Sequence, residues 1–178
     1  MILRRGLAVV DGMLNKLEAG QRIEIFDAAT ILKFLRVFGD HYHQVMEETV
    51  LFPTLLSAFP NETGLQELAA EHGDERMLVS QIEDSLMSRR GMAFFRSSRQ
   101  LTTLLRNHCD REEAVLCGLG QCLSEEQDVA LVTEFMKARI EVEMYTNLAR
   151  LERRYVRPVL EQVEVVSEPV PQAMSQHR

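Results

Sequence analysis

Three histidines of this chain lie where the surrounding apolar residues predict the buried face of a helix. Each residue of an α-helix advances it by about 100°, so that side chains four positions apart share a face. By this spacing His108 falls among the leucines of its segment, and Glu112 points in nearly the same direction. Burying an imidazole and a carboxylate is costly unless they pair or bind a metal. The pair therefore predicts either a buried hydrogen bond or part of a metal site.

The same spacing recurs in the segment His43-Gln-Val-Met-Glu47. His43 lies on the predicted inward face and Glu47 lies at its margin. His41 and Glu48 fall on the other side, where we expect them to face solvent or, at most, to support a ligand. Asp and Glu make up 27 of the 178 residues, so a single match of this kind is weak support for a site.

A third histidine, His72, is centred on the apolar face of its own segment. Glu75 lies about 60° to one side of it, within reach of a metal bound there. Arg76 follows one turn after His72, and we expect it to form an ion pair with Glu83 or Glu112.

Inward histidines from three separate segments are harder to ascribe to chance than any one pair. Imidazole combined with carboxylate suits iron, manganese or zinc, whereas the absence of cysteine from these positions disfavours a thiolate zinc site. Helical bundles commonly build carboxylate-bridged two-metal centres in their interiors. The sequence therefore predicts a metal site inside a bundle.

The elements that must position these residues are all predicted to be helices, and no segment alternates as a strand does. Asp27 is a candidate N-cap of the second helix, which is expected to end or bend near Pro53. Ser124 and Gln127 form a predicted capping box before the last helix. The predicted helices cover residues 3–17, 27–53, 63–91, 93–116 and 124 to at least 155.

The connections are short enough to make neighbouring helices antiparallel. The sequence thus predicts an all-α fold: an antiparallel up-down four-helix bundle over residues 1–120, with an additional long C-terminal helix over residues 124–166. That helix is expected to pack on the bundle or to mediate association, including a homodimer. Residues 167–178 are polar and are expected to be disordered.

Charge and composition exclude several classes of partner. The net charge is −7 and the isoelectric point is about 5.3, which argues against binding to nucleic acid or to an anionic membrane. The three cysteines form no Cys-x-x-Cys pair, and no apolar stretch approaches the length of a membrane span. We therefore expect a cytoplasmic protein.

Three segments resemble the hemerythrin-like, or HHE cation-binding, family, and the resemblance extends from Leu3 to about Leu119. They are residues 43–53, the pair at 71–72 and residues 108–113. In that family a four-helix bundle holds two irons through histidines and two bridging carboxylates, and leaves a position open for dioxygen or a related small molecule. The resemblance implies His43, His72 and His108 as terminal ligands and Glu47 as one bridge.

The second bridging carboxylate could be either of two adjacent residues, Glu112 or Glu113. Family spacing selects Glu113, whereas helical geometry favours Glu112. The chain also departs from the family pattern in two ways. The family's first-helix histidine would fall at or before the start of this sequence, and the second histidine of the third helix is replaced by Arg76, a permanent cation.

We therefore expect an iron protein, with a di-iron site and with mononuclear iron or another divalent metal as alternatives. Its partner would be dioxygen, nitric oxide or peroxide, for binding, sensing or iron buffering. No catalytic residue independent of a metal is visible, so enzymatic turnover is left open. The alternative is a metal-free bundle with a structural or regulatory role. A ferritin-like oxidase is weaker, because the Glu-x-x-His motif is absent.

Overall fold

The computed structural model describes residues 2–120, 123–137 and 142–157, and within these ranges it contains six helices and no strand. The predicted all-α bundle is confirmed. The second helix, α2, spans residues 25–58 as consecutive segments Ile25–Phe34, Leu35–Gln44, Glu47–Leu51 and Phe52–Ala58. The others are α1 (Ile2–Glu18), α3 (Gly64–Met87), α4 (Gly91–Gly120), α5 (Glu125–Lys137) and α6 (Val142–Tyr155).

Two helix ends follow the chemistry of their sequences. Gly20 adopts a φ of 71°, the left-handed region that glycine enters without strain, and the chain leaves α1 there. At the start of α5 the backbone N–H of Ser124 donates to Gln127 Oε1 at 3.0 Å, and the N–H of Gln127 donates to Ser124 Oγ at 3.3 Å. The predicted capping box is therefore formed.

The second helix differs from the prediction at both ends. It begins at Ile25, so Asp27 is not its N-cap but a buried residue of its first turn. It also continues past Pro53 to Ala58. The residues from Leu35 to Leu51 are mostly wound as a π-helix, and Pro53 lies in the first turn of the α-helical segment that follows. The change from π-helical to α-helical winding thus falls directly before Pro53, and the helix continues through it.

The bundle core consists of two apolar clusters. The larger one packs α1 against α2, α3, α4 and α6, and the smaller one contains Phe52, Leu55, Leu65 and Leu68. Along α3, His72 and Glu75 fall between the last residue of the small cluster, Leu68, and the next buried residue of the large one, Val79. The titratable residues thus form a polar layer between two apolar ones.

The last described helix, α6, packs on α1 and α2 through Leu148, Leu151 and Tyr155. The predicted helix over 124–166 corresponds to α5 and α6, and residues 138–141 between them lie outside the described ranges. So do residues 158–166 and the tail predicted over 167–178. The division of the chain into these parts remains a prediction. No described helix is both long and apolar enough to cross a membrane.

Candidate metal centre

The π-helical winding of α2 positions the first two candidate ligands. A π-helix turns through a smaller angle per residue than an α-helix, so residues four apart point in more similar directions. Glu47, which α-helical spacing places at the margin of the apolar face, is therefore fully buried beside His43. The Nδ1 atom of His43 lies 3.3 Å from Glu47 Oε1. Both residues face α3 and α4.

Glu47 lies at the middle of the site. Its Oε2 atom is 3.3 Å from His72 Nε2 on α3, while Glu112 Oε2 on α4 is 3.9 Å from His43 Nε2. Two groups have potential ligand atoms within 4.8 Å of one another: Glu47 with His72 and His108, and Glu47 with His43 and Glu112. The carboxylate of Glu47 therefore belongs to both groups of potential ligands.

Burial sets the protonation of these groups. Desolvation, with a further contribution from neighbouring histidines, lowers the pKa of both His43 and His108 to about 4. Burial also lowers the pKa of His72. It raises the pKa of Glu47 to about 7 and, together with the charge of Glu47, that of Glu112 to about 8. At neutral pH the imidazoles are therefore in the neutral form that binds metals.

Four of the five candidate ligands each have a buried atom with no hydrogen-bond partner: His43 Nε2, Glu47 Oε2, His72 Nε2 and Glu112 Oε2. The neighbouring Glu75 Oε1 has none either. A buried polar atom without a partner costs free energy comparable to a lost hydrogen bond, so such atoms are rare in native proteins. All four are nitrogen or oxygen atoms of types that coordinate metal ions. The residues present therefore fit a bound cation.

The family model for the hemerythrin HHE cation binding domain matches residues 2–119. This chain belongs to the hemerythrin HHE cation-binding family. No curated protein and no solved structure gave a significant match to it. The match covers α1 to α4, which include the three helices that carry the site, so the hemerythrin fold and cation binding follow from it directly.

The structure separates the two carboxylates between which the hemerythrin resemblance left a choice. Glu112 is buried beside the histidines, whereas the side chain of Glu113 is 71% exposed and lies 3.4 Å from Arg4 on the surface. His41 is likewise outside the site, with 63% of its side chain exposed and its Nε2 atom 3.6 Å from Asp40.

Glu75 lies deeper in the site than its angular position on α3 indicates. It is buried, and its Oε1 atom is 3.6 Å from His108 Nδ1. Its other oxygen, Oε2, accepts a hydrogen bond of 2.5 Å from Gln44 Nε2. Burial raises the pKa of Glu75 to about 8. This carboxyl group is thus a further candidate ligand at the edge of the hemerythrin centre.

Arg76, in the place of the second hemerythrin histidine of the third helix, does not enter the centre. Its guanidinium donates to Asp40 Oδ1 at 2.7 Å and to Glu48 Oε1 at 2.8 Å. The expected ion pair with Glu83 or Glu112 is not formed, since Glu83 pairs with Arg36 instead.

Sequence reasoning missed two residues that contact the site. Glu71 Oε2 lies 3.0 Å from His108 Nδ1, and Gln44 is buried against Glu75. Each of them follows or precedes a candidate ligand directly in the sequence. Their partners are on other helices, however, and helical spacing carries no information about contacts between helices.

Proposed function

We propose that this protein binds two iron ions at a centre built by His43, Glu47, His72, His108 and Glu112. It would handle dioxygen, nitric oxide or peroxide there, through binding, sensing or iron buffering. The observation that carries this proposal is the position of Glu47, whose carboxylate faces His43 and Glu112 on one side and His72 and His108 on the other.

The donor set favours iron among the common metals. Three imidazoles combine with two carboxylates, with Glu75 in reach as a third, and no cysteine belongs to either ligand group. Nitrogen and oxygen donors without thiolate suit iron or manganese, whereas structural zinc sites usually contain cysteine. Membership of a cation-binding hemerythrin family supports the same choice.

The five side chains leave coordination positions of two irons unfilled, which is where a small molecule would bind. Iron would supply an open coordination site and a change of oxidation state. The protein's own contribution is a dry pocket, neutral imidazoles and two carboxylates that offset the charge of the cations. His43 is the most accessible of the five residues, with 16% of its side chain exposed, so a small molecule would approach on its side.

A metal-free structural bundle explains the site less well. Without a cation, four buried donor atoms stay unpaired and three buried carboxyl groups crowd together. Apolar residues of the same size would stabilise a purely structural bundle better.

The proposal is tested by loading the metal-free protein with ferrous iron under anaerobic conditions and then adding dioxygen, nitric oxide or peroxide separately. We expect at least one of these to change the visible and near-ultraviolet absorption in proportion to bound iron. A His108→Ala variant treated in the same way should bind less iron and show a correspondingly smaller change. Bound iron whose spectrum responds to none of the three molecules would contradict the proposal.

A further inference from the structure

Two of the candidate ligand histidines are connected to arginines through carboxylates. His72 Nδ1 lies 2.8 Å from Glu48 Oε1, and the same oxygen accepts a hydrogen bond of 2.8 Å from Arg76. Arg76 is held from its other side by Asp40, at 2.7 Å. The contacts form a chain from the buried imidazole outward to the surface between α2 and α3.

A second chain of the same kind begins at the neighbouring histidine. His108 Nδ1 on α4 lies 3.0 Å from Glu71 Oε2 on α3. The other oxygen of Glu71 forms an ion pair with Arg111, which follows His108 on α4. The rings of His72 and His108 lie 4.9 Å apart, so the two chains of contacts begin at neighbouring residues of the centre.

We propose that Arg76 and Arg111 are positioning residues, which hold Glu48 and Glu71 so that His72 and His108 present their Nε2 atoms to the metal. This inference rests on the proposed function. Neither arginine contacts the metal positions. Arg76 stands where the family pattern has a ligand histidine. It would not bind the metal itself but would hold Glu48, which contacts the ligand His72.

A neutral imidazole carries a hydrogen on one of its two ring nitrogens and a free lone pair on the other. When Nδ1 carries the hydrogen and donates to a carboxylate, Nε2 has a free lone pair, and the ring cannot rotate without losing the hydrogen bond. His72 matches this arrangement, since its Nδ1 is bound to Glu48 and its Nε2 has no partner. A glutamate side chain is flexible, however, and holds the ring only if it is itself fixed.

An arginine is well suited to fix that carboxylate. Its planar guanidinium donates several hydrogen bonds in a rigid arrangement and stays charged at all relevant pH values. Arg76 binds Asp40 and Glu48 at once, and these two residues lie eight positions, or about two turns, apart on α2. The contact with Asp40 fixes the position of the Arg76 guanidinium, and the guanidinium in turn fixes the carboxylate of Glu48.

The chain contains a matched control for this arrangement. Arg36 on α2 pairs with Glu83 on α3, so it joins the same two helices as Arg76 does. Glu83 has no contact with a histidine in the described part of the chain. Arg36 also lies 4.0 Å from Asp40 Oδ2, but Arg76 is held by the other oxygen of that carboxylate, at 2.7 Å. Replacing Arg36 should therefore remove an ion pair between α2 and α3 and leave the contacts of Arg76 with Asp40 and Glu48 in place.

The first readout uses the full-length protein without metal. Nitrogen NMR of the histidine side chains should show His72 with its hydrogen on Nδ1 in the wild type and in Arg36→Gln. In Arg76→Gln we expect a mixture of the two ring forms. Arg76→Lys keeps the charge and the fold but not the two-sided contact, so it should give an intermediate result.

The second readout is affinity for ferrous iron, measured by competition with a chelator. Losing a residue that orients a ligand typically lowers metal affinity by about 10- to 100-fold, and we expect Arg76→Gln and Arg111→Gln to fall in this range. Arg36→Gln should bind iron as the wild type does. Thermal unfolding of the metal-free variants should be similar for Arg76→Gln and Arg36→Gln.

An unchanged ring form and affinity in Arg76→Gln would overturn the inference. An equal loss of affinity in Arg36→Gln would also overturn it, because the effect would then come from helix packing. If the wild type binds no iron while the ring form of His72 still depends on Arg76, the proposed function fails and the positioning contact stands.

Discussion

Glu112 is buried in the site, and its neighbour Glu113 is exposed and serves as its control. The two carboxylates are adjacent in α4, yet one contacts His43 and the other contacts Arg4 at the surface. Family spacing had favoured the exposed one and helical geometry the buried one. The fold alone thus distinguishes two chemically identical side chains.

We predict that Glu112→Gln lowers iron affinity by at least about tenfold, because it removes an anionic donor from the centre. Glu113→Gln should leave the affinity unchanged within the error of a chelator competition. The two variants have the same composition and charge. Equal affinities, or a larger loss in Glu113→Gln, would mean that Glu112 is not a ligand.

Metal binding should also depend on pH. Burial raises the pKa of Glu47 to about 7 and that of Glu112 to about 8, so at pH 7 Glu47 is partly and Glu112 mostly protonated in the metal-free protein. A cation must displace these protons, and affinity should rise by about tenfold per pH unit for each proton released. Titrations at pH 6 and pH 8 check this, and equal affinities at both would contradict it.

The raised pKa values of Glu47 and Glu112 should make the stability of the metal-free protein decrease as the pH rises, whereas metal affinity increases. A carboxyl group whose pKa is raised by folding stabilises the folded state only while it is protonated. That contribution is complete below the ordinary carboxyl pKa and is lost as the pH rises through the raised value. The metal-free protein should therefore unfold at a lower temperature at pH 8 than at pH 6.

Helical spacing identified the residues that the structure brings together, because the period of a helix decides which side chains share its buried face. It could not identify the contacts of Arg76 or Glu71, since both depend on how neighbouring helices align. The α-helical spacing also places Glu47 too far outward, because α2 is largely π-helical around this residue. The roles of these residues as ligands remain predictions.

The second helix shows how a local signal can be overridden by packing. Asp27 is a good N-cap by type, but in the structure it is buried and receives hydrogen bonds from Arg150, Arg154 and Tyr155 of α6. Burial alone would raise the pKa of Asp27, but the hydrogen bonds and the positive charges outweigh it and the net pKa is lowered. Asp27 thus connects α2 to α6 through three hydrogen bonds.

We predict that Asp27→Asn lowers the free energy of unfolding by about 2 kcal/mol, because hydrogen bonds to a charged group are lost in a buried position. Glu24→Gln is the control, since Glu24 is exposed and lies 3.6 Å from the same Arg154. Its effect should be small, as is usual for surface pairs. Denaturant unfolding measures both, and equal effects would show that burial of Asp27 is unimportant.

The lowered pKa of Asp27 fixes the sign of its pH dependence. Its contribution is present above the ordinary aspartate pKa and is lost as the pH falls through the value in the folded protein. The stabilities of the wild type and Asp27→Asn should therefore converge in acid.

For the molecule as a whole, the apolar periodicity and the lack of strand patterns were sufficient to predict an all-α bundle, and the structure confirms it. The helical spacing also predicted that a polar layer would interrupt the core. How α6 packs on α1 and α2 could not be predicted, because it depends on the burial of Asp27. In the described residues, the candidate metal ligands form a layer between two apolar clusters.

The central claim is that imidazoles and carboxylates from α2, α3 and α4 together bind cations. The most direct test is the metal content, by mass spectrometry, of full-length protein from iron-supplemented cells, with Glu47→Gln prepared in parallel. We predict about two irons per chain in the wild type and a loss of most of them in Glu47→Gln, as expected for a bridged centre in a helical bundle. A wild type that holds no transition metal, even after loading with ferrous iron, would contradict the claim.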